Sequence, residues 1–224
     1  MVTSKILELF DEQMRRKPAG PDGFLAGDGW SAVLWPPADG DVEPLIARMR
    51  EQQGWVEWKY YSHDGAELRE ALLAAGLEPE DEETVVVAEA ASIPPPPADL
   101  ELREDVDAFQ ALALEVFGRE QGGGFPENAV PVVAYVGGKP VSSGRVDLDP
   151  GVEFAGLFGG VTLPEYRGRG LYRATVARRA ELAREAGYRF LYVDALPTSR
   201  PILERTGFVH LTTTTPFVIP AATR

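Results

Sequence analysis

Two textures alternate along this chain. Segments at Ser4–Arg15, Val42–Gln53, Ala66–Ala75 and Val106–Phe117 carry Leu and Ala with charges between them, as helices do. Short runs rich in Val, Trp and Tyr predict strands at Ser31–Trp35, Val56–Tyr61 and Thr84–Ala88. Further along, strands are predicted near Leu100–Arg103, Val132–Val136, Val141–Leu148, Phe154–Leu163, Phe190–Ala195 and His210–Ile219. Gly137-Gly138-Lys139-Pro140 reads as the turn of a hairpin, Gly122-Gly123-Gly124 as a loop and Pro201–Arg205 as a short helix. A longer helix opens at Leu171 and runs to Ala186. Leu171, Val176, Ala180, Leu182, Ala183 and Ala186 share one half of its wheel, while Arg173, Arg178, Glu181, Arg184 and Glu185 fill the other. Hairpins feeding a strand–loop–helix–strand unit predict an α/β fold built on a mixed sheet.

Ile93-Pro94-Pro95-Pro96-Pro97 interrupts this series. Four prolines in a row fit neither a helix nor the middle of a sheet, so the run reads as a stiff spacer. It divides the sequence into residues 1–92, a linker at 93–97 and residues 98–224. The two halves echo one another. Trp58-Lys59-Tyr60-Tyr61, a helix, Ala75-Gly76-Leu77 and Thr84-Val85-Val86-Val87 follow the plan of Leu191-Tyr192-Val193-Asp194, a helix, Thr206-Gly207-Phe208 and Thr215-Pro216-Phe217-Val218. On this reading the first half is a reduced copy of the second.

Charge narrows the functions. Asp and Glu number 35 against 22 Lys and Arg, a net charge of -13, which argues against a nucleic-acid partner. There are no cysteines, hence no disulfide, thiolate metal site or cysteine nucleophile, and the two histidines lie far apart. No metal is expected. The first residues lack the order of a signal peptide and no apolar stretch is long enough to span a membrane, so the expected location is cytoplasmic.

One stretch reverses the acidic trend. After the strand ending at Val161-Thr162-Leu163, the sequence reads Pro164-Glu165-Tyr166-Arg167-Gly168-Arg169-Gly170 and passes directly into the helix at Leu171-Tyr172. Glycines permit positive φ and close approach of a ligand to the backbone. The first N–H groups of a helix have no intrahelical partner and lie at the positive end of its dipole. Such a helix start binds phosphate or diphosphate, and Arg167 and Arg169 add charged donors. The counterpart in the first half, Pro36-Pro37-Ala38-Asp39-Gly40-Asp41, is acidic where a diphosphate requires donors.

This run resembles motif A of the GCN5-related N-acetyltransferases (GNAT), whose pattern Gln/Arg-x-x-Gly-x-Gly/Ala falls on Arg167, Gly170 and Tyr172. Pro201-Ile202-Leu203-Glu204-Arg205-Thr206-Gly207-Phe208 is similar to the family's helix ending in Gly-Phe. The resemblance implies the GNAT fold, a mostly antiparallel mixed sheet flanked by helices, with acetyl-coenzyme A between two splayed parallel strands. It implies pantetheine contacts from the backbone of Val161, Thr162 and Leu163, and diphosphate contacts from Arg167, Gly168, Arg169, Gly170, Leu171 and Tyr172, with Ser199 also near the cofactor. Tyr at position 172, where the pattern has Gly or Ala, requires that its side chain point away from the diphosphate.

The implied chemistry is direct attack of an amine on the thioester. Leu203 stands where the family places the tyrosine that protonates the thiolate, which leaves Tyr172, Ser199 or unassisted departure. Glu153 is the first candidate base, Glu120 or Glu127 the second. The leading expectation is an N-acetyltransferase using acetyl-coenzyme A and a small-molecule or peptide amine, as a monomer or homodimer. The alternatives are a catalytically silent acyl-coenzyme-A-binding regulatory module, and a nucleotide site, for which the Gly-x-Gly-x-x-Gly and Walker spacings are absent.

Overall fold

The structure is a computed structural model that describes residues 2–27, 29–118 and 125–220. In chain order the elements are α1 (Val2–Phe10), a π-helical turn at Asp11–Arg16, α2 (Lys17–Ala19), β1 (Phe24–Gly27), β2 (Trp30–Val33), α3 (Glu43–Glu51), β3 (Trp55–Tyr61), α4 (Ala66–Ala74), β4 (Glu78–Pro79) and β5 (Glu83–Glu89). They continue with β6 (Glu101–Arg103), α5 (Val106–Phe117), β7 (Ala129–Val136), β8 (Lys139–Asp147) and β9 (Phe154–Thr162). The chain ends with α6 (Leu171–Glu185), β10 (Phe190–Ala195), α7 (Arg200–Glu204) and β11 (Val209–Val218). Helices and strands fall close to the segments expected from the sequence. The exceptions are α2, β1 and β4, which are too short to show a pattern. The loop at Gly122-Gly123-Gly124 lies outside the described residues.

Two compact units form, and the proline run does not separate them. One comprises residues 1–85, 194–197 and 211–224; the other comprises 86–193 and 198–210. These units cut across the division into residues 1–92 and 98–224 read from the sequence. The prolines belong inside the second unit, and the C-terminal strand belongs with the first. Each unit is completed by a strand from the other half of the sequence. In the first, β11 pairs antiparallel with β3, with Phe217 opposite Trp58 and Thr214 opposite Tyr61. In the second, the strand order is β5, β10, β9, β8, β7, β6.

The first unit holds a hairpin, β1 with β2, followed by α3 and a return to β3 parallel to β2. Alternation along β3 sends Val56, Trp58 and Tyr60 into a core with Ile46, Met49, Leu72 and Phe217. The second unit has the same order at larger scale: the β8–β9 hairpin, then α6, then β10 parallel to β9. Its core gathers Phe109 and Leu112 of α5 with Val133, Val141, Val161, Leu163 and Leu171. The β7–β8 connection turns on Gly137 (φ 58°) and Gly138 (φ 79°), a two-residue turn whose positive φ values fit the twist of the strands.

Candidate functional site

The site grows from β9. Between its pairs with β8, Ser143 opposite Val161 and Arg145 opposite Phe158, two residues of β9 face one of β8. This bulge holds Gly159 at φ 61° and bends the strand. On the other edge, the parallel ladder to β10 consists, among the described residues, of Phe190 with Phe154, Leu191 with Ala155 and Tyr192 with Gly156. β9 then continues to Thr162. Past the ladder, the edge of β9 that faced β10 has backbone available to a ligand.

The three strand-end residues differ in how they use that edge. Leu163 N–H donates to the Val141 carbonyl at 2.9 Å, and the Val161 carbonyl accepts from the Ser142 hydroxyl at 2.8 Å. Both turn their backbone toward β8. Thr162, between them, turns the opposite way. Its carbonyl accepts from Arg167 Nε at 3.2 Å, which leaves its N–H as the donor facing outward.

The loop is pinned at both ends. Leu163 and Leu171 are 1% and 2% exposed, both in the core of the second unit, so the residues between them are displayed from two fixed points. A 3₁₀ turn at Pro164–Tyr166 leads to Gly168 at φ 77° and Gly170 at φ 79°. Nothing would meet a side chain at Gly168, so the requirement for glycine there is conformational. Tyr166 and Arg167 N–H groups bond back to Leu163 and Pro164, and Ala174 N–H bonds to the Gly170 carbonyl. Between them, no acceptor among the described residues meets the N–H groups from Gly168 to Arg173. They fan outward at the positive end of α6.

Cations surround the fan. Arg167 is held by its Nε, and its terminal nitrogens make no hydrogen bond to the described protein. Arg169 leans on the Tyr166 ring, 5.0 Å from its centroid, and reaches the Glu165 carbonyl at 3.4 Å. Arg173 belongs with them, because its Nη2 lies 3.4 Å from the place a Gly170 side chain would start. On the helical wheel Arg173 falls on the charged half of α6; the signal that ties it to the fan is its place in the first helical turn, three residues after Gly170.

In the first unit the matching place is acidic. Asp39 accepts from Asp41 N–H at 3.1 Å, and Asp41 accepts from Glu43 N–H at 3.2 Å. Carboxylates there take the N–H groups of Asp41 and Glu43 at the approach to α3, so the acidic run is self-capped where an anion would bind.

Residues 93–208 match the family described as Acetyltransferase (GNAT) family. The chain belongs to the GNAT acetyltransferases. Its fold is similar to a GCN5-related N-acetyltransferase from Kribbella flavida, at 15% identity and a TM-score of 0.68, covering 98% of this chain and 95% of that one. It is also similar to a GCN5-related N-acetyltransferase from Sphaerobacter thermophilus, at 16% identity and a TM-score of 0.58 over 84% of this chain and 72% of that one. A GCN5-related N-acetyltransferase-like protein from Streptococcus suis aligns at 13% identity and a TM-score of 0.57, over 85% and 79% of the two chains. Comparison with curated proteins gives no match.

Against the GNAT pattern, the catalytic candidates are distributed as follows. Glu153 precedes the first residue of β9, bonded to Arg189 at 3.5 Å. A nine-residue strand spans roughly 30 Å. Glu153 therefore sits at the far end of β9 from Thr162 and is not brought to the loop. Glu127 is exposed before β7, and Glu120 lies outside the described residues. Tyr172 folds back over β9, where a Cβ on Gly160 would come within 2.7 Å of its ring. Burial raises its phenol pKa, against the pull of Arg179, its neighbour two turns along α6. The side chain thus leaves the anion fan clear, as its place in motif A requires. Ser199 opens α7, with its carbonyl accepting from Ile202 and Leu203 N–H at 3.0 and 3.1 Å. Leu203 is 1% exposed, an apolar core residue where the family carries a hydroxyl. Among the described residues no group of His, Asp or Glu side chains is arranged to hold a metal, and no helix is long and apolar enough to cross a membrane.

Proposed function

We propose that this protein transfers an acetyl group from acetyl-coenzyme A to an amine by direct attack on the thioester. The supporting observation is the outward fan of N–H groups from Gly168 to Arg173, surrounded by Arg167, Arg169 and Arg173, in a chain of net charge -13. In this reading the fan and the arginines hold the diphosphate, and the Thr162 N–H bonds the pantetheine arm. Val161 and Leu163 act by fixing the strand rather than by touching the cofactor. Acetyl-coenzyme A supplies the activated acyl group; the protein orients it and accepts the proton of the amine.

The thiolate leaves without a side-chain acid. Leu203 cannot donate, and Tyr172 is turned toward Arg179 with its phenol pKa raised. A thiol with a pKa near 8.5 departs as thiolate at pH 7 at a cost of about 2 kcal/mol, which solvent protonation then offsets.

Calorimetric titration of acetyl-coenzyme A into the wild type and Arg167→Ala/Arg169→Ala tests the assignment. Two exposed charge-assisted contacts at ~1 kcal/mol each predict about 30-fold weaker binding in the double variant. The loss shrinks as salt is raised. Equal affinity in both proteins would remove the loop from the cofactor site. A silent acyl-coenzyme-A-binding module, favoured by the buried Leu203, predicts the same binding with no release of thiol in the presence of any amine.

A further inference from the structure

The face of β3 opposite the core of the first unit carries Glu57, Lys59 and Tyr61. Asp194, near the end of β10, pairs with Lys59 through Oδ2. Burial disfavours the Lys59 charge, but the fields of Asp194, Tyr61 and Glu57 outweigh it and hold the pKa well above the usual lysine value. Lys59 is thus a fixed cation, and Asp194 neutralises it. Two carboxylates remain. Glu57, 8% exposed, accepts from the Trp55 indole at 3.0 Å. Glu83, at the start of β5, is coupled electrostatically to Asp194, Lys59 and Glu57 and makes no hydrogen bond to the described protein.

The cluster is short of positive charge. Three carboxylates face one ammonium, and buried carboxylates in such excess are costly unless a proton or a cation joins them. A separate observation points to the missing partner. Asp194 is 10% exposed, and its Oδ1 is buried with no hydrogen-bond partner. Trp55, tethered by Glu57, is 38% exposed and stands opposite Trp30 across the β2–β3 ladder, so aromatic surface lies next to the acidic group.

We propose that Glu57, Glu83 and Asp194, with Trp55, form a site for a primary alkylammonium with an apolar body, and that Glu83 is the base that removes its proton. The inference rests on the acetyl-transfer reading for its purpose, because a nucleophilic amine must first be neutral. The ammonium nitrogen gives one proton to the Glu83 carboxylate, leaving R–NH2 and a neutral Glu83 carboxylic acid. The N–H bond breaks to nitrogen, which keeps the electron pair for attack. Glu83 has the basicity that this transfer needs, since burial, then the charge of Asp194, pushes its pKa up to about 7 against the pull of Lys59. The apolar part of the amine lies on Trp55, which supplies aromatic contact area.

The test is a tryptophan-fluorescence titration of the full chain with 2-phenylethylammonium, and with 2-phenylethanol as its uncharged counterpart, at pH 6 and pH 8. The ligand stays protonated at both pH values, whereas Glu83 passes from mostly neutral to mostly ionised. Affinity is therefore expected to rise about 10-fold from pH 6 to pH 8. Glu83→Gln is expected to abolish that rise while melting cooperatively and binding acetyl-coenzyme A like the wild type. Glu83→Asp is expected to restore part of it, and Trp55→Leu to weaken binding at both pH values. Equal affinity at the two pH values, an unchanged rise in Glu83→Gln, or equal binding of the alcohol would overturn the inference. Absence of ammonium binding in a protein that still binds acetyl-coenzyme A overturns it too and leaves the acetyl-transfer reading standing. Ammonium binding without acetyl-coenzyme A binding sinks that reading instead.

Discussion

Glu83→Gln also makes a stability prediction that needs no substrate. The Glu83 carboxyl is held at a pKa of about 7 against a usual value of 4.5. Below pH 4.5 it is protonated whether the chain is folded or not, and it contributes no pH dependence. Between 4.5 and 7 the unfolded chain releases a proton that the folded protein retains, so stability falls as pH rises. Above 7 both states are ionised and the loss is complete. A shift of this size corresponds to about 3 kcal/mol, reduced to about 2–3 kcal/mol because the side chain keeps some contact with water. Glutamine has nearly the same shape and never ionises. The variant should match the pH slope of the wild type below pH 4.5, gain on it through the window, and lead by a constant amount above pH 7.5. In a chain of this length the lead amounts to about 5–10 °C in melting temperature. Thermal melts of both proteins at half-unit steps from pH 4 to pH 8.5 measure it. A difference that stays flat across the window would show that Glu83 titrates normally and that the cluster is not short of a cation.

Four further variants have stated outcomes. Gly170→Ala places an L-residue at φ 79°, a cost of about 1–2 kcal/mol that falls on the head of α6; acetyl-coenzyme A binding, measured by calorimetry, should weaken about 5- to 30-fold. Gly187→Ala, at φ 88° just beyond the other end of α6, should lower the melting temperature similarly but leave binding unchanged. Tyr172→Phe and Ser199→Ala should each keep turnover, followed as thiol release, within about threefold of the wild type, because neither is assigned a proton; a loss of about 100-fold in either would identify the acid that Leu203 lacks.

What the sequence alone determined is local. The anion fan is legible from Leu163 to Tyr172 because everything it needs lies within one stretch: apolar residues to pin both ends, glycines for positive φ, arginines for charge and a helix for unpartnered N–H groups. The self-capped counterpart at Asp39 and Asp41 and the turn at Gly137-Gly138 are legible for the same reason. Leu203 is a matter of identity alone.

Tertiary structure decided what depends on distance through space. Which strand completes which unit has no mark in the sequence, because the pairing joins residues far apart along the chain, and the compact units cut across the division at the proline run. Glu153 and Thr162 share a predicted strand, yet a strand's length sets them at opposite ends of it. Lys59 and Asp194 are 135 residues apart, and nothing near either one announces the other. A backbone site is built from neighbouring residues and can be read in order, whereas a cluster of buried charges exists only where the pairing of distant strands removes water from around them.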